Sequence, residues 1–178
     1  MLHKPVILSY KGWRNWFLFC LGLFIGTAFC MKWLETRFYY QGELFTIIGL
    51  EISYPAARVM DILYHLDPAI QPLLKAHLYF DYVFMAGAYG GIASLCMMAR
   101  YKAKKALLRN ILLVLACLQL VAWGCDIREN GFLLHWLSEK PDISSSFTIY
   151  HIYVIIKWSL ALTGALLSIP VLLWKRNG

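Results

Sequence analysis

Four long apolar stretches alternate with short polar ones along this chain. They run from about Trp13 to Trp33, Gln71 to Met98, Ala106 to Cys125 and Phe147 to Trp174. A helix needs about 20 apolar residues to cross a bilayer's hydrocarbon core, and each stretch has that length. The pattern predicts helices over about 13–33, 71–98, 106–127 and 147–174. The third either breaks at Gly131 or continues to about Leu137. Before the fourth, Ser138 to Phe147 holds Pro141 and three consecutive serines, a loop composition that offers Ser146 or Thr148 as N-cap. Gly22 and Gly26 in the first stretch, and Gly87 and Gly91 in the second, form G-x-x-x-G patterns that let a neighbouring helix approach closely.

Between the first two spans lies a polar segment, 34–70, with five acids. Ser53-Tyr54-Pro55 reads as a helix start, and Val59, Leu63 and Leu66 then share one face. An amphipathic helix over about 55–66 is expected on the outer membrane surface, or as a cap on the bundle. The apolar run Leu44 to Leu50 is too short to span and is expected to pack into the same cap. Docking the bundle is the expected role of this segment, with a lid over a ligand site as the alternative. The first span is too long, and ends too polar, for a cleaved secretory signal.

Composition agrees with the pattern. At 60% hydrophobic and 15% charged, the chain is far more apolar than a soluble domain. Its +7 formal charge follows position: Lys4, Lys11 and Arg14 cluster at the start of the first span, and Arg100, Lys102, Lys104, Lys105 and Arg109 cluster around the connection between the second and third. Lys175 and Arg176 follow the fourth. This is positive-inside patterning, which places both termini in the cytoplasm and removes nucleic acid from the expected partners. Cys20, Cys30, Cys96, Cys117 and Cys125 all sit in apolar runs with no C-x-x-C, so they read as packing residues. The fold expected is a single all-α integral membrane domain over 1–178. It is a four-transmembrane-helix bundle in a plasma or bacterial inner membrane, with an amphipathic outer helix between spans one and two.

The candidate chemistry centres on Trp123-Gly124-Cys125-Asp126-Ile127-Arg128-Glu129-Asn130. Asp126, Glu129 and Asn130 share one helical face, which Gln119 and Trp123 extend inward. Depth can be counted from the basic marker on each span: 18 residues from Arg14 to Lys32, 19 from Arg100 to Asp81, 17 from Arg109 to Asp126 and 18 from Lys175 to Lys157. At about 1.5 Å per residue, all four ionisable groups lie about 26–29 Å from the inner face, near the outer edge of a core about 30 Å thick. Two carboxylates and two ammonium groups are expected to neutralise one another there. About one turn further out come His77, Glu129 or Asn130, and His151, with Tyr79, Tyr82, Tyr150 and Tyr153 near them.

Three functional classes fit. The first is an extracytoplasmic polar pocket of His77, Asp81, Tyr82, Trp123, Asp126, Glu129, Asn130, His151 and Lys157 that binds a lipid-like amphiphile without catalysis. The head would meet Asp81, Asp126 and Lys157, and the tail would lie among Phe84, Met85, Trp123 and Trp158. A bundle docked onto a larger membrane complex or a homo-oligomer belongs to the same class. The second is a membrane enzyme with Asp126 or Glu129 as acid or base and Lys157 stabilising negative charge. Its metal-dependent form would use His77, Asp81 and His151, a weak ligand pattern beside a lysine. Four-helix sterol isomerases of the EXPERA type resemble this chain in helix count and in using membrane acids, but none of their motifs is matched and no residue role carries over. Transport, the third class, lacks a continuous polar path, since only Gln119, Ser94, Tyr89, Thr163 and Ser168 lie below the charged layer. No nucleotide loop or zinc spacing is present, and no cofactor is expected.

Overall fold

The structure is a computed structural model that describes residues 8–174. Lys4, Lys175 and Arg176, used above as charge markers, lie outside the described residues. The chain forms α1 (Tyr10–Glu35), a two-stranded hairpin of β1 (Tyr39–Tyr40) and β2 (Glu43–Leu44), a single π turn (Gly49–Ser53), and α2 (Ala56–Tyr64). Three long helices follow: α3 (Gln71–Lys102), α4 (Ala106–Glu139) and α5 (Ser144–Leu173). Helices α1, α3, α4 and α5 are each long and apolar enough to cross a membrane. Phe19, Ile25 and Phe29 on α1, Leu120 on α4, and Leu162 and Leu166 on α5 all face outward. An apolar surface of that extent is suited to lipid rather than water, and it marks a membrane protein.

Local chemistry sets the helix ends. Ser9 caps α1, its hydroxyl oxygen accepting from the Gly12 amide at 3.2 Å. Arg100 and Lys102 in the last turn of α3 complement the negative end of its dipole. Helix α4 runs through Gly131 without a break, because one glycine costs a helix only about 1 kcal/mol. It stops at Lys140, which adopts the left-handed conformation at φ 51°. Helix α5 begins at Ser144, one turn before the expected Ser146 or Thr148 cap. Instead of either, the Asp142 carboxylate accepts from the Ser144 amide at 3.0 Å and from its hydroxyl at 2.6 Å. Those two bonds favour the ionised form and hold the Asp142 carboxyl below the usual carboxylate range.

Helix α3 is the centre of the bundle. Helix α1 packs on α3, while α3, α4 and α5 pack on one another; there is no comparable α1–α5 interface. The contact with α1 depends on Gly87, where a Cβ would stand 2.7 Å from the Phe24 backbone nitrogen and 2.9 Å from the Cys20 carbonyl oxygen. Gly22 and Gly26, by contrast, meet nothing within 4 Å, so the glycine pattern on α1 is not its packing face. On the other side, a Cβ at Gly164 of α5 would stand 2.8 Å from Gln119 Nε2 and from Ile92 Cγ2.

The largest apolar core lies at one end of the bundle, where segment 34–70 folds back over α3, α4 and α5. Phe38, Leu50, Ile62 and Leu63 from that segment bury against Leu74, Leu133, Trp136 and Tyr150. Val59, Leu63 and Leu66 are all buried, as their shared face predicts, and Ile62 joins them. The hairpin was not foreseen: Gln41 and Gly42, at φ 52° and 81°, form its two-residue turn and set Tyr39 opposite Leu44. The cap is tied down by Lys140 Nζ donating to the Tyr64 carbonyl at 2.8 Å, and beside it Gln71 Nε2 at the start of α3 donates to the Leu137 carbonyl of α4 at 3.0 Å. The Tyr64 hydroxyl also donates to the Pro141 carbonyl.

Candidate functional site

The absence of an α1–α5 interface leaves a cleft with α3 as its floor. On α3 the positions His77, Asp81, Phe84, Ala88 and Ile92 line it, spaced four, three, four and four residues apart as one helical face requires. Phe24, Ala28 and Met31 of α1 form one wall, and Trp158, Ala161, Leu162 and Ala165 of α5 form the other. Alanine at 28, 88, 161 and 165 supplies too little side chain to fill the gap. A cavity of about 380 Å³ results, within the range of small-molecule sites, about 300–1,000 Å³. Ile47, Ile48 and Glu51 of the cap lie across one end.

At that end the buried charges meet. Lys157 of α5 points inward, its Nζ 2.7 Å from Asp126 Oδ1, 2.6 Å from Glu129 Oε2 and 3.2 Å from Glu51 Oε2. All four side chains are buried. Asp126 also accepts from the Tyr89 hydroxyl at 2.8 Å, and Glu51 from Trp158 Nε1 at 3.1 Å. Asn130 Nδ2 donates to Asp81 Oδ2 at 2.7 Å and to the Leu78 carbonyl at 3.3 Å. Both partners are acceptors, which determines the orientation of that amide. Three helices and the cap are thereby joined through one polar layer. Such a layer is tolerated in a low-dielectric interior only when its charges are paired and hydrogen-bonded.

A second pair lies nearer the α1 end of the cleft. Glu35 Oε2 accepts from Lys32 Nζ at 2.8 Å, and Glu35 Oε1 accepts from the Ile47 amide at 3.2 Å. His77 Nε2 is 3.8 Å from Glu35 Oε1, and His77 Nδ1 is buried without a hydrogen-bond partner. Lys32 therefore lines the cleft but pairs with Glu35, and its side chain is 76% exposed. It does not share in neutralising Asp81 and Asp126 as the depth count implied; an ammonium at a span's end can reach a local partner and solvent at lower cost.

Of the residues singled out in the sequence, His77, Asp81, Asp126 and Lys157 line the cleft, while Glu129 and Asn130 stand behind it in contact with Lys157 and Asp81. Tyr82 and Trp123 pack beside the buried Met85, Tyr89 and Ala122 instead of lining the cleft. His151 is also elsewhere, its ring stacked on Phe147 with centroids 6.2 Å apart. His151 therefore does not join His77 and Asp81 as a metal-ligand set. Among the described residues, no group of three His, Cys, Asp or Glu side chains is arranged to hold a metal ion. Glu51 and Glu35 were missed. Both belong to the end of α1 or the cap, where acids are ordinary and no span supplies a depth. The only sequence signal for Glu51 was an acid placed directly after the apolar run Leu44 to Leu50. Comparison with protein-family models, curated proteins and solved structures finds no match for this chain.

Proposed function

We propose that this protein is a membrane-embedded binding protein whose α1–α5 cleft takes up a lipid-like amphiphile. The observation that carries this reading is the continuity of one cavity from a buried charged end to an apolar one. A polar head would lie against Asp81, Glu51 and Asp126, and a tail would run along Phe84, Ala88 and Ile92 between the two walls. From Asp81 to Ile92 is 11 residues, about 16 Å of helix, or about the depth of one leaflet. Because α1 and α5 do not close on each other, such a ligand can enter sideways from the bilayer.

Sidedness belongs to the same proposal. Arg14, Lys102, Lys104 and Lys105 lie toward the end of the spans opposite the charged layer, so the positive-inside rule puts that end in the cytoplasm. The termini are then cytoplasmic, and the cap with α2 lies at the extracytoplasmic surface of a plasma or bacterial inner membrane. Native mass spectrometry of protein released gently from its own membrane tests the binding reading. An adduct of amphiphile mass is expected, reduced in Asp126→Asn and in Ala161→Leu, with the helical signal in circular dichroism unchanged. Adducts identical in wild type and both variants, or none in any, would leave a bundle that only docks onto other membrane proteins.

A further inference from the structure

We infer that the amphiphile's head is positively charged, an ammonium group carried on an apolar chain. This inference rests on the cleft reading above and adds the charge of its ligand. Glu35, Glu51, Asp81 and Asp126 line the cleft, and Glu129 lies directly behind it. Against these five carboxylates stand two ammonium groups, Lys32 and Lys157, and the His77 imidazole.

Both ammonium groups already face acids. Lys157 has three N–H bonds and three carboxylates around it, Asp126, Glu129 and Glu51. Lys32 is turned onto Glu35. A phosphate or carboxylate head lodged against Asp81 and Glu51 would face the surplus acids. Asp81 has the opposite need. It is 8% exposed and lines the cleft, yet its side-chain partner is the neutral amide of Asn130, and among the described residues no cation lies within ion-pair distance. A buried carboxylate without a cation is costly in a low-dielectric interior, and an ammonium head placed between Asp81 and Glu51 would supply the missing charge. The Trp158 and Tyr89 rings line the same cleft, and aromatic faces are favourable neighbours for a cation. A neutral head would satisfy hydrogen bonds but leave the charge imbalance in place.

Three probes of equal chain length separate these cases: dodecylamine, dodecanol and dodecanoate, each titrated into the delipidated protein and read by native mass spectrometry. One charge-assisted contact predicts retention of the amine about ten- to a hundredfold tighter than the alcohol, with the carboxylate weakest. Asp81→Asn should reduce the amine's advantage to a few-fold, and Glu51→Gln serves the same purpose should Asp81→Asn fail to fold. Equal binding of amine and alcohol, both lowered by Ala161→Leu, would overturn the charge assignment while leaving the cleft reading intact, and would show that protons carry the missing charge. Tightest binding of dodecanoate would overturn it outright. Probe binding indifferent to Ala161→Leu would remove the cleft reading itself.

Discussion

Replacing Lys157 by methionine keeps much of the side chain's length and apolar stem while removing the one charge on which Asp126, Glu129 and Glu51 converge. In the native protein those oxygens lie 2.7, 2.6 and 3.2 Å from Nζ, and the side chains carrying them are buried. Removing one partner of a single buried ion pair costs about 3–5 kcal/mol, because the remaining charge stays out of water without compensation. Here three carboxylates lose their common partner, so Lys157→Met should cost at least about 3–5 kcal/mol. That is a large fraction of the roughly 5–15 kcal/mol that separates folded from unfolded states in ordinary domains. The informative comparison is with the quadruple variant Lys157→Met, Asp126→Asn, Glu129→Gln, Glu51→Gln, which removes all four charges. Buried ion clusters replaced as a set are often neutral in stability, so this protein should recover most of the loss. Reversible unfolding in bicelles, followed by helical circular dichroism, measures both. A loss under about 1 kcal/mol for Lys157→Met would mean that Lys157 reaches water or headgroups on its own, and the polar layer would not be an interior feature.

Two further predictions concern the frame around that layer. Gly87→Leu places atoms where the α1 backbone stands and should cost about 1–3 kcal/mol or detach α1, whereas Gly22→Leu, on a face that meets nothing, should leave unfolding unchanged; the same bicelle assay compares them. At the start of α5, Asp142 is held below the ordinary carboxylate range by its two bonds from Ser144. Its contribution to stability is therefore present above the usual carboxylate range and is lost as pH falls through its lowered native value. Ser144→Ala removes the hydroxyl bond, so the Asp142 titration midpoint measured by NMR should rise toward that of a free aspartate.

The four spans were legible because each apolar run has the length a bilayer demands; the structure shifts the ends of α1, α3 and α5 by a few residues, and carries α4 to Glu139, past the longer of its two expected ends at Leu137. Asp81, Asp126 and Lys157 could be grouped before any coordinates because a straight helix converts residue number into depth. That ruler works only along spans. It gave no place to Glu51, which arrives from a π turn in the cap, and it placed Lys32 at the right level without showing that Glu35, three residues on, would take its charge. Facing direction was less legible than depth. The same glycine spacing occurs at 22/26 and 87/91, yet only the α3 pair meets its neighbour's backbone and side chain, because a spacing does not say which way its face points. His151 illustrates the same gap: it shares a level with His77 but sits against Phe147, away from the cleft. The hairpin escaped notice because two-residue strands show no alternation and Gln-Gly is a weaker turn signal than Asn-Gly.

A structure determined directly in native membrane lipid tests the central claim most directly. The account predicts elongated density between α1 and α5, with its head against Asp81 and Glu51 and its chain beside Ala88 and Ala161, while Lys157 remains enclosed by Asp126, Glu129 and Glu51. A map in which α1 closes onto α5, or in which Lys157 turns outward and leaves the three carboxylates apart, would contradict it.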